Sequence, residues 1–158
     1  MRITEATNPL QTILLTCRAD GKDNIITLDW HMPLSFDPMM FAVSIGKTRF
    51  SLGMVRSAKV FVANFMGKEA QADTLFCGRH SGKTMDKFAT SGLEKEEAKT
   101  IDCPRVKEAQ AYLECEVVSE IEVGDHILFI GKVTHVEEKD KGKRLFHLEA
   151  DRFTTTLD

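Results

Sequence analysis

The sequence predicts a mainly β fold with short helices, wrapped as a closed or partly split antiparallel barrel. Three observations predict it. Strand-like runs follow one another at short intervals with turn residues between them. Helical spacing occupies only brief stretches. There is neither an internal repeat nor a regular βαβ alternation of the kind that builds a Rossmann-type sheet. A chain of 158 residues with 42% hydrophobic content can bury a core without disulfide or metal staples, and no linker divides it, so one domain over residues 1–158 is expected.

Residues 12–18, 24–31 and 40–45 read as β-type runs. Asp20-Gly21-Lys22-Asp23 is a turn signal between the first two, and Pro33 with Asp37-Pro38 marks the next connection. Residues 49–58 then place Phe50, Met54 and Val55 at helical spacing, with Ser51 able to cap or line the first turn. Residues 60–65 alternate as a strand, and residues 68–76 carry Ala70, Ala72, Leu75 and Phe76 in a weakly amphipathic helical segment.

After the loop at 78–82, residues 84–90 read as one or two helical turns stopped by Ser91-Gly92, and residues 93–105 as charged connection. Residues 112–118 alternate, with Leu113, Cys115 and Val117 on one face and Glu114, Glu116 and Val118 on the other, as in a half-buried strand. The Val123-Gly124-Asp125 turn leads into residues 126–136, whose apolar first half predicts burial on both faces. The charge run at 139–144 predicts a solvated hairpin turn before residues 145–153.

Several function classes lose support. A formal charge of −3, with no interleaving of basic and aromatic residues, argues against a nucleic-acid partner. Residues 1–11 do not form a signal peptide, and apolar runs such as 39–43 are far shorter than the ~18 residues of a membrane span. A soluble cytoplasmic protein is expected, with no membrane partner. Cys17, Cys77, Cys103 and Cys115 are widely spaced and read as free thiols; Cys77 with His80 has metal-like spacing, but no second pair completes a zinc site, so no metal is expected.

Gly46-Lys47-Thr48 and Gly82-Lys83-Thr84 resemble the end of a phosphate-binding Walker loop, but the required earlier glycine is replaced by Phe41 and Cys77 respectively. No nucleophile-and-base pattern accompanies His31, His80, His126, His135 and His147, which read mostly as surface or hydrogen-bonded structural histidines.

The stretches Asn24-Ile-Ile-Thr-Leu-Asp-Trp30, Pro33-Leu-Ser-Phe-Asp-Pro38 and Phe41-Ala-Val-Ser-Ile-Gly-Lys-Thr-Arg49 resemble the signature of the flavin reductase-like, FMN-binding split-barrel family. The resemblance continues in order through Val60-Phe-Val-Ala-Asn64, Cys77-Gly-Arg-His-Ser-Gly-Lys-Thr-Met-Asp-Lys-Phe88 and Val123-Gly-Asp-His-Ile-Leu-Phe-Ile-Gly131. It implies a six-stranded antiparallel split barrel with added helices, a homodimer, and FMN held near the subunit interface.

The resemblance also implies site residues. Thr27, Leu28, Asp29 and Trp30 would run beside the isoalloxazine, with Trp30 alternatively packed in the core. Ser44, Ile45 and Gly46 would pass close to the ring and ribityl chain, or simply end a strand. Arg49 and Ser51 at a helix start have the donors a phosphate needs, against a merely solvated Arg49. Asn64 would contact the flavin or tie down a turn. The loop Arg79-His80-Ser81-Gly82-Lys83 could complete the phosphate site, with Lys87 placed one helical turn after Lys83 or left as surface charge. His126 would lie near the flavin or orient the nicotinamide donor, or be a hydrogen-bonded histidine beside a turn.

The function implied is an NAD(P)H-dependent flavin reductase in which FMN, not a side chain, carries the redox chemistry. Electrons would pass to free flavin used by a partner oxygenase, to ferric complexes or to a redox partner protein. Two rivals stay open: a flavoredoxin-type electron carrier without efficient nicotinamide turnover, and a non-catalytic FMN-binding protein.

Overall fold

In the computed structural model, which describes residues 1–157, the antiparallel β character extends through most of the chain. β1 (Leu10–Gln11) follows a short helix, α1 (Ile3–Thr7). β2 (Ile13–Ala19) and β3 (Lys22–Leu28) form a hairpin whose turn holds Asp20 and Gly21 at φ of 50° and 71°, the left-handed region that such a pair adopts readily. β4 (His31–Phe36) then returns along β5 (Met39–Gly46). The segment around Pro33, expected as a connection, is therefore a strand. It pairs with β5 alone, and an edge strand tolerates a residue that cannot donate to the ladder.

α2 (Phe50–Ala58) crosses to β6 (Val60–Phe65), and the long hairpin of β9 (Ala111–Val123) and β10 (His126–Glu138) turns at Gly124 with φ of 57°. The main sheet runs β3-β2-β6-β9-β10-β5-β4. It has seven strands where six were implied, and among the described residues no ladder joins its ends, β3 and β4.

The sheet separates two cores. Ile13, Leu15, Cys17 and Ala19 of β2 enter the inner one, with Phe41, Val43 and Ile45 of β5, Phe61 of β6 and Phe129 of β10; Leu52, Met54 and Val55 of α2 fill its centre. Leu14, Ile25, Val62 and Tyr112 point the other way and are covered by α3 (Gln71–Arg79), α4 (Lys87–Thr90) and the ribbon of β7 (Lys95–Glu97) with β8 (Pro104–Val106). Cover on both sides explains why β2 is apolar almost throughout instead of alternating. Packing is close: a Cβ on Gly131 would lie 2.9 Å from both Phe61 and Cys115.

Other expectations change. α3 is preceded by a 3-10 turn, Lys68–Ala70, and extends to Arg79. α4 starts only at Lys87, because the Asp86 carboxylate accepts from the Ala89 N–H at 3.1 Å and caps the helix there. Residues 93–105 hold the β7–β8 ribbon instead of plain connection. Glu114, expected on an outward face, is fully buried because that ribbon and its loop cover it. In β10 burial is mainly one-sided: Ile127, Phe129 and Val133 are buried, whereas Leu128 and Ile130 are half-buried. The 139–144 run does not close a hairpin. Lys139 and Asp140 donate to Gln110 O, drawing the chain away from β10. β11 (Leu145–Glu149) instead pairs with β1 and β12 (Arg152–Thr155) in a small separate sheet.

Candidate functional site

A cleft of about 370 Å³ opens where the ends of β3 and β5, the first turn of α2, the C-terminal end of α3 and the start of β10 converge. Its volume is within the ~300–1,000 Å³ usual for ligand sites. The convergence is local in origin. β5 ends at Gly46, whose carbonyl accepts the Arg49 N–H at 2.9 Å, so the chain turns at once into α2. The Lys47 N–H donates to Asp125 O at 2.9 Å and ties that turn to the β9–β10 corner, which brings His126 beside Gly46.

Thr27, Leu28, Asp29 and Trp30 form one wall and Ser44 and Gly46 the next. Thr27 Oγ1 donates to Thr74 O at 2.7 Å, fixing α3 against β3, and a Cβ on Gly78 would meet the Thr27 side chain at 3.3 Å. The Asp29 carboxylate is occupied on both oxygens, by Thr12 Oγ1 at 2.7 Å and His147 Nδ1 at 2.6 Å. Trp30 is half-buried at the cleft, not in either core, with its ring centroid 4.6 Å from that of His126. His126 Nδ1 is 2.7 Å from Asp125 Oδ1.

The opposite end is cationic. α2 has Arg49 at its N-cap and no side-chain cap; the Leu52 N–H bonds back to Arg49 O at 3.0 Å, and Arg49, Phe50 and Ser51 at this helix start line the cleft. Lys87, considered above as surface charge, is only 4% exposed and its Nζ donates to Cys77 O at 2.8 Å. Burial pushes its pKa down, and the Arg49 cation adds to that. His80 and Ser81 line the mouth, the His80 ring stacked on Phe76 at 4.2 Å. Burial raises the Cys77 thiol to about 11, so no thiolate is on offer in this cleft at neutral pH.

Three expected residues lie elsewhere. The Ile45 side chain alternates away from Ser44 and Gly46 into the inner core. Asn64 is fully buried: its Nδ2 donates to Leu14 O at 2.8 Å and its Oδ1 accepts the Val106 N–H at 2.8 Å, so the amide ties β6 to β2 and β8 instead of reaching the cleft. Lys83 sits in an exposed turn outside the cleft, and since α4 begins at Lys87 the two lysines do not share a helical turn.

Arg79, which opens the loop expected to complete the phosphate site, lines the cleft and pairs with Asp151 of the β11–β12 turn. Sequence reasoning passed over Asn24, which donates to Ser51 Oγ at 2.7 Å; that partner comes from a distant part of the chain, so Asn24 carried no local signal as a site residue. A flat ring between polar strand ends, with a phosphate at the α2 terminus, suits this set of donors. Lys87 is a buried cation that no carboxylate pairs among the described residues, and the helix start is uncapped, so an anionic group would satisfy both.

Comparison with known proteins is consistent with this geometry. Residues 6–156 match the flavin reductase like domain family. An uncharacterised protein of Archaeoglobus fulgidus is 38% identical over 135 residues, covering 85% of this chain and 76% of the relative. The reductase component of the flavin-dependent trigonelline monooxygenase of Acinetobacter baylyi is 29% identical over 122 residues, covering 77% of this chain but only 37% of that protein. The structure of an FMN-binding protein from Thermus thermophilus with bound p-hydroxybenzaldehyde superposes with a TM-score of 0.86 at 28% identity, over 93% of this chain and 86% of that one.

Proposed function

The chain belongs to the flavin reductase-like domain family, and from that premise we propose that it is an FMN-binding oxidoreductase that draws electrons from NAD(P)H. The observation that carries the reading is the pairing, in one cleft, of an uncapped helix start and a buried unpaired lysine with two polar strand ends. Bound FMN would supply hydride acceptance and onward electron release. The chain's own residues bind and align. Arg49, Ser51 and Lys87 hold the phosphate, and the backbone of residues 27–30, Ser44 and Gly46 meets the ring edge. His126, held through Nδ1 by Asp125, keeps Nε2 for positioning the nicotinamide donor. The resemblance to an oxygenase's reductase component favours a partner oxygenase as the destination of the electrons.

Loading the protein with FMN, removing oxygen and excess flavin, and adding NADH or NADPH separately tests this. Rapid bleaching of the flavin absorbance is expected with at least one donor. No bleaching with either, by a bound flavin that dithionite still reduces, would overturn the nicotinamide step and leave a partner-fed electron carrier.

A homodimer is the second part of the proposal. β4 is an edge strand whose outward Met32, Leu34 and Phe36 are 55%, 43% and 98% exposed, an apolar strip with an unpaired backbone edge. An adjoining apolar groove, lined by Ile3, Met32 and Leu128 among others, shares Asp29, Trp30 and Ser44 with the cleft, so a subunit seated there would press on the cleft wall. Sedimentation of the FMN-loaded protein is expected to give a dimer; a monomer with undiminished FMN affinity would contradict it.

No helix among the described residues is long and apolar enough to cross a membrane.

A further inference from the structure

Asn24 stands in β3, behind the cleft, and is 3% exposed. Its Nδ2 donates to Ser51 Oγ at 2.7 Å, reaching from the sheet to the first turn of α2. Its Oδ1 is buried with no hydrogen-bond partner among the described residues, and it is turned toward the loop that closes the cleft: a Cβ built on Gly82 would overlap this oxygen. One side-chain amide thus touches both sides of the cationic end, through Ser51 on the helix and Gly82 on the loop.

We propose that Asn24 is a positioning residue for phosphate recognition, which orients the Ser51 hydroxyl as a donor into the cleft and seats the Gly82 loop against it. The inference rests on the reading of the cleft as an FMN site. A serine hydroxyl has one proton and two lone pairs. The Asn24 N–H occupies a lone pair, so the Ser51 proton must point elsewhere, and Ser51 faces the cleft with no protein acceptor for that proton among the described residues. An ionised phosphate accepts hydrogen bonds and cannot give them, so a serine fixed as donor recognises it, whereas a serine free to rotate does so only part of the time. The missing Cβ at Gly82 lets the loop approach the amide that does the orienting.

The test compares FMN with riboflavin, which has the same ring and no phosphate. Asn24→Asp keeps the shape of the side chain but turns its donor into an acceptor, which draws the Ser51 proton back toward β3. By flavin fluorescence quenching, the variant is expected to weaken FMN binding about tenfold or more, as for a lost hydrogen bond to a charged group, and to leave riboflavin affinity unchanged. In the Ser51→Ala background the same change should have a smaller effect, since part of it acts through that hydroxyl. Equal weakening of both flavins would mark a general structural role and overturn the proposal, as would no change in either. Wild-type protein that binds neither flavin would overturn the flavin reading itself, and the positioning role with it. Should Asn24→Asp fail to fold, the wild-type protein decides by NMR: FMN is expected to shift the Asn24 side-chain amide resonance and riboflavin to leave it in place, and identical shifts would overturn the role.

Discussion

Arg105→Met is expected to lower the unfolding free energy by about 3 kcal/mol, seen as a lower urea midpoint at unchanged slope. The Arg105 side chain is 5% exposed and holds Glu137 and Glu96 at 2.8 Å and the fully buried Glu114 at 3.4 Å, with its guanidinium 4.1 Å from the Tyr112 ring centre. Removing it leaves Glu114 buried with only neutral donors, the N–H groups of Lys99 and Thr100 and the Thr100 hydroxyl. The loss should sit at the low end of the ~3–5 kcal/mol typical of a broken buried pair, because two lysines remain. Lys99 still reaches Glu137 at 2.9 Å and Lys139 still reaches Glu96 at 3.7 Å. Adding Glu114→Leu should recover part of it, since the orphaned charge goes too. A loss under about 1 kcal/mol would put the cluster in the class of solvated surface pairs.

Acid should act through the same residues. Hydrogen bonds from Lys99 and then Arg105 depress Glu137 to about 2. Burial alone would raise Glu114, but its hydrogen bonds from Thr100 and Lys99 outweigh that and lower it. Both carboxyls are thus more acidic folded than unfolded, where a glutamate titrates near ~4.3. The stability they add is present above that value and lost as the pH falls toward about 2. Arg105→Met removes part of the cause of the shift, so the gap in stability between variant and wild type should narrow over that interval.

This cluster also shows what local pattern cannot reveal. The alternation of β9 marks Leu113, Cys115 and Val117 as one face, and they do pack on the inner core. It marks Glu114 as outward, and outward it is, but the β7–β8 ribbon covers that face, and only tertiary structure brings the ribbon there. Turns were legible wherever their chemistry is local: the Asp20-Gly21 and Gly124 corners use the left-handed backbone that those residues favour. β4 was not, because Pro33 reads as a break unless the strand is known to lie at an edge. In the cleft, Thr27 through Trp30, Ser44, Gly46, Arg49, Ser51, His80, Ser81, Lys87 and His126 come together from segments carried by the family resemblance. Ile45, Asn64 and Lys83 belong to the same segments but fail for a simpler reason: being in the right segment does not decide which way a side chain points.

Lys87→Met is expected to weaken FMN binding about 10- to 100-fold while leaving the flavin-free protein as stable as the wild type or more so. Lys87 is charged, 4% exposed and bonded to a single neutral acceptor, Cys77 O. A buried ammonium without a counterion disfavours the folded state, which is why burial lowers its pKa. Methionine relieves that, though it also leaves Cys77 O without its lysine donor, so the net gain is small. A phosphate in the cleft would supply the missing counterion and so favour the protonated lysine. The two effects carry opposite signs with pH. As pH rises through the lowered pKa, the flavin-free protein should gain stability and FMN affinity should fall; both trends should vanish in Lys87→Met. Thermal melts and FMN titrations across the alkaline range would check this. A variant that lost stability and affinity together would make Lys87 a structural tie to α3, leaving Arg49 and Ser51 to hold the phosphate.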